Sequence, residues 1–120
     1  MAEIVQKKIY DLEERTTVFS EKIIVFCKSL PKNILTIPII NQLLRSATSI
    51  GANYMEANGA SSRKDFKHKI YICKKEAKET MYWLRLLENM ITNELEECKK
   101  LSQEAKELTL IFSTIAANTN

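Results

Sequence analysis

Glycine and proline are scarce, two of each in 120 residues, and the charged residues are rich in Glu and Lys. That balance favours long helices over loops or sheet. Histidine occurs once, as His68, so a Ser-His-Asp or Cys-His arrangement would have to be built around a residue inside a basic segment. A di-iron bundle needs a Glu-x-x-His pair from each of two helices, and the chain has no such pair. Phosphate-cradling GxGxxG and GxxxxGKS loops are missing too. Cys27, Cys73 and Cys98 form an odd set without CxxC spacing, which argues against a disulfide framework or a zinc site and fits a reducing compartment. The longest apolar stretch, Ile34 to Ile40, is short and interrupted by Thr36 and Pro38, and the opening MAEIVQKK has no apolar signal-peptide core. No export signal and no membrane span are expected. Together these absences predict a cytoplasmic protein that binds rather than catalyses, with no cofactor and no metal.

What the chain does have is helical periodicity, on a length that suits one domain with one core. Leu12, Thr16, Phe19, Ile23, Phe26 and Leu30 recur at steps of three and four, the spacing of one buried helix face. Asp11 with Glu14 resembles a capping box ahead of them, and Leu30-Pro31 ends the run. Pro38 suits the first turn of a second helix and Gly59 its C-terminal stop. Between them Ile39, Leu43, Ala47, Ile50, Tyr54 and Ala57 make one apolar face, and Leu44, Thr48, Gly51 and Met55 a second. Gly51 costs a helix roughly 1 kcal/mol relative to Ala, which suggests that another backbone comes close. Ser62 with Asp65 gives a second capping-box pattern, before Phe66, Ile70, Cys73, Ala77, Thr80, Leu84, Leu87 and Ile91. After Thr92-Asn93, the run Leu95, Cys98, Leu101, Ala105, Leu108, Phe112 and Ile115 marks a fourth helix. Helices are therefore expected at about 11–30, 38–58, 62–92 and 94–116. They form a single domain spanning 11–117 that follows an N-terminal arm at residues 1–10. Short connections between them predict an all-α, antiparallel up-down-up-down four-helix bundle.

Three constellations interrupt the core pattern. On the second helix Gln42, Arg45, Ser49, Asn53 and Glu56 stack as a polar stripe, and the third helix offers Glu76 and Glu79 to Arg45. Arginine bonds carboxylates bidentately, so Arg45, Ser49, Asn53, Glu56, Glu76 and Glu79 suit a structural network that fixes helix register. The alternative is a small-ligand site where Arg45, Glu56 and Glu79 converge. On the third helix Arg63, Lys67, Lys74, Lys78 and Arg85 lie within about 60° of one another at about 100° per residue, flanked by Lys64, Lys69 and Lys75. From Ser62 to Lys78 seven Lys/Arg face only Asp65 and Glu76, a local excess of +5 against a net charge of +3 for the whole chain. Such a stripe is either a solvated helix face or an array that neutralises nucleic-acid phosphates, with Tyr71 and Tyr82 nearby. Third, Tyr82-Trp83 precede Leu84 and Leu87, with Trp83 about 100° from Leu84 and so at the core's edge. Packing against a neighbour, in its specific form a subunit interface, competes there with base stacking.

The segments LLRS-TSIGAN (Leu43 to Asn53), EA-G (Glu56 to Gly59), S-KDF (Ser62 to Phe66) and KEA-ET-YWLRLL (Lys75 to Leu87) resemble a four-helix-bundle family. That family includes proteins encoded in 23S rRNA intervening sequences, also called the S23 ribosomal protein family. DLEERT and LPK at the two ends of the first helix look similar, so the likeness spans residues 11–92, and helix four matches only in character. The resemblance implies a ring-like homopentamer. It also implies association with nucleic acid, because a relative of like architecture, the accessory protein of diversity-generating retroelements, is pentameric, basic and associated with nucleic acid and a reverse transcriptase. Glu94, Glu96, Glu97, Glu104 and Glu107 depart from that pattern by denying helix four a basic surface. The expected function is a homopentameric nucleic-acid-binding or nucleoprotein scaffold, RNA or DNA, in which fivefold repetition multiplies a modest charge. Its rival is a scaffold for protein partners alone.

Overall fold

A computed structural model describes the backbone of residues 2–119 and the side chains of residues 11–119. Among these it contains four helices and no strand: α1 (Ala2–Lys28), α2 (Thr36–Asn58), α3 (Arg63–Met90) and α4 (Leu95–Ala117). The side chains of the expected arm at 1–10 lie outside the described residues, but the backbone is already helical from Ala2. Asp11 is therefore inside α1 and makes no capping box with Glu14, a correction to the expected start.

The first connection is built by two side chains that neither proline announced. Asn33 Oδ1 accepts from the Leu35 and Thr36 amides, both at 3.0 Å, while Thr36 Oγ1 accepts from the Asn33 amide at 3.0 Å. This reciprocal cap satisfies helix-start donors. It sets α2 in motion two residues before Pro38, which still falls in the first turn where its missing N–H is harmless. On the other side, Lys32 Nζ donates to the carbonyls of Cys27, Lys28 and Leu30 at 2.7, 3.0 and 2.9 Å. A lysine thus closes the end of α1, where unpaired carbonyls collect. α1 ends at Lys28, two residues short of the expected Leu30. Ser62 Oγ accepts from the Asp65 amide at 3.0 Å, as its spacing predicted. α4 opens from Glu94, whose left-handed backbone (φ 60°, ψ 24°) is the one positive φ among the described residues.

Every residue of the expected face of α1 is buried, as is that of α3 except half-buried Phe66. The second face proposed for α2 is only partly realised. Gly51 is buried and Leu44 half-buried, but Met55 is 57% exposed. A Cβ on Gly51 would meet Thr16 Oγ1 at 3.3 Å, so the close approach is to α1. Each helix packs on two others, α1 and α3 both touching α2 and α4. Across α2 and α3, Arg45 meets Glu79, Ser46 meets Thr80, Ile50 meets Cys73 and Glu56 meets Lys69. From Ser46 through Ile50 to Glu56 the α2 numbers rise while their α3 partners fall from Thr80 through Cys73 to Lys69. Arg15 with Glu104 and Ser29 with Asn93 do the same for α1 and the α4 side. These pairings are compatible with antiparallel neighbours.

Candidate functional site

α3, 28 residues long, carries both a polar seam toward α2 and a charged outer face. In the seam Arg45 donates to Glu76 Oε2 at 3.1 Å and to Glu79 Oε1 at 2.6 Å. Glu79 Oε1 also accepts from Trp83 Nε1 at 3.3 Å. The charge-assisted bond from Arg45 holds the Glu79 carboxyl below its ordinary pKa, and the Trp83 bond acts in the same direction. Glu76 is only 5% exposed, and Thr80 Oγ1 lies 2.8 Å from its backbone carbonyl and 2.9 Å from Ser46 Oγ. No described buried side-chain N or O lacks a partner. The seam is a saturated network of the kind that fixes one register.

Ser49 and Asn53 turn to their own helix, Ser49 Oγ donating to the Arg45 carbonyl at 2.6 Å and Asn53 Nδ2 to the Ser49 carbonyl at 2.8 Å. Glu56 does not converge with Arg45 and Glu79. It sits 3.8 Å from Lys69 Nζ, about three turns along α2 from Arg45. The polar stripe therefore splits into a pair network and a separate surface ion pair, and two surface clefts, between α1 and the start of α4 and between α1 and α2, are lined by other residues.

The basic stripe is brought together as expected. Lys78 and Arg85 are exposed and Lys67 and Lys74 half-buried along one line of α3, with Arg63 exposed at its start. No ion pair among the described residues engages Lys67, Lys74, Lys78 or Arg85, whereas Arg15 and Arg45 are each clamped by two glutamates. Four cations thus stand along one line with no ion pair among the described residues. Tyr71 and Tyr82 are 50% and 54% exposed beside them. Tyr82 meets Trp83 edge-on at 5.0 Å, and Trp83 itself is half-buried, at the core's edge where the spacing put it.

Two features gave no signal in the sequence. Arg15 bridges Glu104 at 2.7 Å and Glu107 at 3.0 Å across α1 and α4, a pairing between residues too far apart for periodicity to reveal. Exposed Ile34, Leu35 and Ile37 follow one another at the α1–α2 connection, and Ile24 of α1 lines a cleft together with Ile37. Among the described residues no helix is long and apolar enough to cross one.

The comparisons agree with the helical architecture. A crystal structure of a protein of unknown function from the S23 ribosomal protein family of Bacteroides thetaiotaomicron is 34% identical, with a TM-score of 0.75, over 87% of this chain and 96% of that one. No curated protein matches. The profile described as 23S rRNA-intervening sequence protein matches residues 8–114, so the likeness extends into α4, beyond the 11–92 that the motifs carried. The chain belongs to the 23S rRNA-intervening sequence protein family.

Proposed function

We propose that this chain is an up-down-up-down bundle that acts in the cytoplasm without catalysis, as a homopentamer binding RNA or DNA through the α3 stripe. The observation that carries the proposal is the set Lys67, Lys74, Lys78 and Arg85, gathered on one line and unpaired among the described residues. Backbone phosphates are the ligands that such an array neutralises, and their contacts dominate sequence-independent affinity. The wider charge is small, so a ring that repeats the stripe supplies the avidity one chain lacks.

Self-association has its own support in the exposed apolar run Ile34, Leu35 and Ile37, with Ile24 sharing a cleft with Ile37 and Ile34 itself 87% exposed. Clusters of this kind mark contact surfaces. Tyr82, 54% exposed beside half-buried Trp83, is the other surface that a second copy could cover, with Trp83 held in place by Glu79 of its own chain. The same apolar run favours the second reading, a scaffold for protein partners without nucleic acid. The non-catalytic character is supported by the thiols: burial pushes Cys27 and Cys98 up to about 11 and Cys73 up to about 12, far from nucleophilic.

The test is a filter-binding titration with structured RNA, run beside light scattering. The proposal expects an oligomer whose RNA binding is lost when Lys67, Lys74 and Lys78 become Glu. A monomer that retains no RNA at low salt overturns it, and partner capture that survives nuclease treatment at full strength favours the protein scaffold.

A further inference from the structure

We infer that α3 recognises unpaired strands, with bases stacked on Tyr71 and Tyr82 while the lysines beside them hold the phosphates. This rests on the nucleic-acid reading above and names the substrate class. Tyr71 and Tyr82 are half exposed on a helix face that they share with Lys64, Lys75, Lys78 and Asn89. Large aromatic rings do not stand in water on a charged face for the sake of the core. The helix places Tyr82 three turns after Tyr71, about 16 Å along the axis and rotated by only about 20°. Lys74, Lys75 and Lys78 fall between them in sequence. A row of rings and cations on one line matches a strand whose bases and phosphates alternate, the pattern by which single strands are held without sequence preference. A duplex stacks its bases inward and offers these rings no partner.

The second ring is held in place before any ligand arrives. Tyr82 packs edge-on against Trp83 at 5.0 Å, Trp83 donates to Glu79 at 3.3 Å, and Glu79 is clamped by Arg45 at 2.6 Å. The register network thus ends under the stacking surface, so less side-chain freedom is lost on binding. Trp83 acts here as a positioning residue, and as the single tryptophan it reports directly on its neighbour.

The experiment titrates the full chain with a short unpaired RNA and with the same sequence as a duplex, reading Trp83 emission and filter retention. The unpaired strand should bind more tightly and quench Trp83. Tyr71→Ala with Tyr82→Ala should weaken single-strand binding about tenfold or more per ring while leaving duplex affinity and helicity unchanged. Tyr71→Phe with Tyr82→Phe should restore it, because stacking needs the ring and not the hydroxyl. Equal binding of both RNAs, indifferent to the alanine variants, overturns the stacking and leaves phosphate binding standing. No binding of either removes the nucleic-acid reading and the stacking with it. A loss of mass in light scattering for the alanine variants assigns Tyr82 to a seam between copies and overturns the inference.

Discussion

Replacing Arg45 with Met retains the aliphatic stem of the side chain and removes the cation that Glu76 and Glu79 share. Glu76 is 5% exposed and faces the guanidinium at 3.1 Å. Breaking a buried pair by removing one partner costs about 3–5 kcal/mol. The Arg45 side chain is itself 48% exposed, so water reaches one side of the pair and an expected cost of about 2 kcal/mol is more reasonable. With a urea slope of about 2 kcal/mol/M for a chain of this size, the midpoint should fall by about 1 M. Far-UV circular dichroism at fixed protein concentration measures it. Arg45→Met with Glu76→Met should recover most of the loss, because two apolar chains leave no orphaned charge. The pH dependence carries a sign. Glu79 is depressed chiefly by its Arg45 hydrogen bond, so its share is complete above the ordinary carboxylate range and disappears as pH falls through the native value. The gap between wild type and Arg45→Met should therefore narrow in acid. An unchanged midpoint for Arg45→Met at neutral pH would refute the view that this seam fixes register.

Three further outcomes follow from the core. Gly51→Ala gains about 1 kcal/mol of helix propensity but sets its Cβ 3.3 Å from Thr16 Oγ1, so the gain should appear in full only in a Thr16→Ala background, as a double-mutant cycle in urea would show. The three thiols are buried and raised well above an ordinary cysteine, so at pH 8 a chromogenic disulfide reagent should react only as fast as the chain opens. The same shifts mean that unfolded thiols ionise first as pH rises above about 8.5, so stability should fall on the alkaline side.

The buried faces were legible because three-and-four spacing is a local property. Ile70, Cys73, Ala77, Thr80, Leu84 and Leu87 need no knowledge of the rest of the chain to be placed inside, and they are all buried. Ser62 with Asp65 was legible for the same reason. Asn33 and Thr36 carry an equally local cap, but Pro38 is the louder signal and drew the expected start two residues late. Asp11 and Glu14 show the opposite error: a cap pattern inside a continuing helix has no free amides to satisfy. Arg45 with Glu76 and Glu79 could be anticipated because a charged stripe on one helix met carboxylates on the next. Arg15 with Glu104 and Glu107 could not, since the partners meet only after the first and last helices come together. Helical angle alone groups Glu56 with Arg45, although axial distance puts it beside Lys69. Exposure decides what periodicity leaves open, and it made the apolar cluster around Ile34 and Leu35 visible.

The central claim is that Lys67, Lys74, Lys78 and Arg85 neutralise phosphates, and the salt dependence of RNA affinity tests it most directly. With about four contacts to an unpaired strand, a plot of log affinity against log salt should have a slope of about −3 per chain engaged. Lys67→Glu, Lys74→Glu and Lys78→Glu together should weaken binding and flatten that slope. A slope near zero, or affinity unaffected by the triple substitution, would contradict the account.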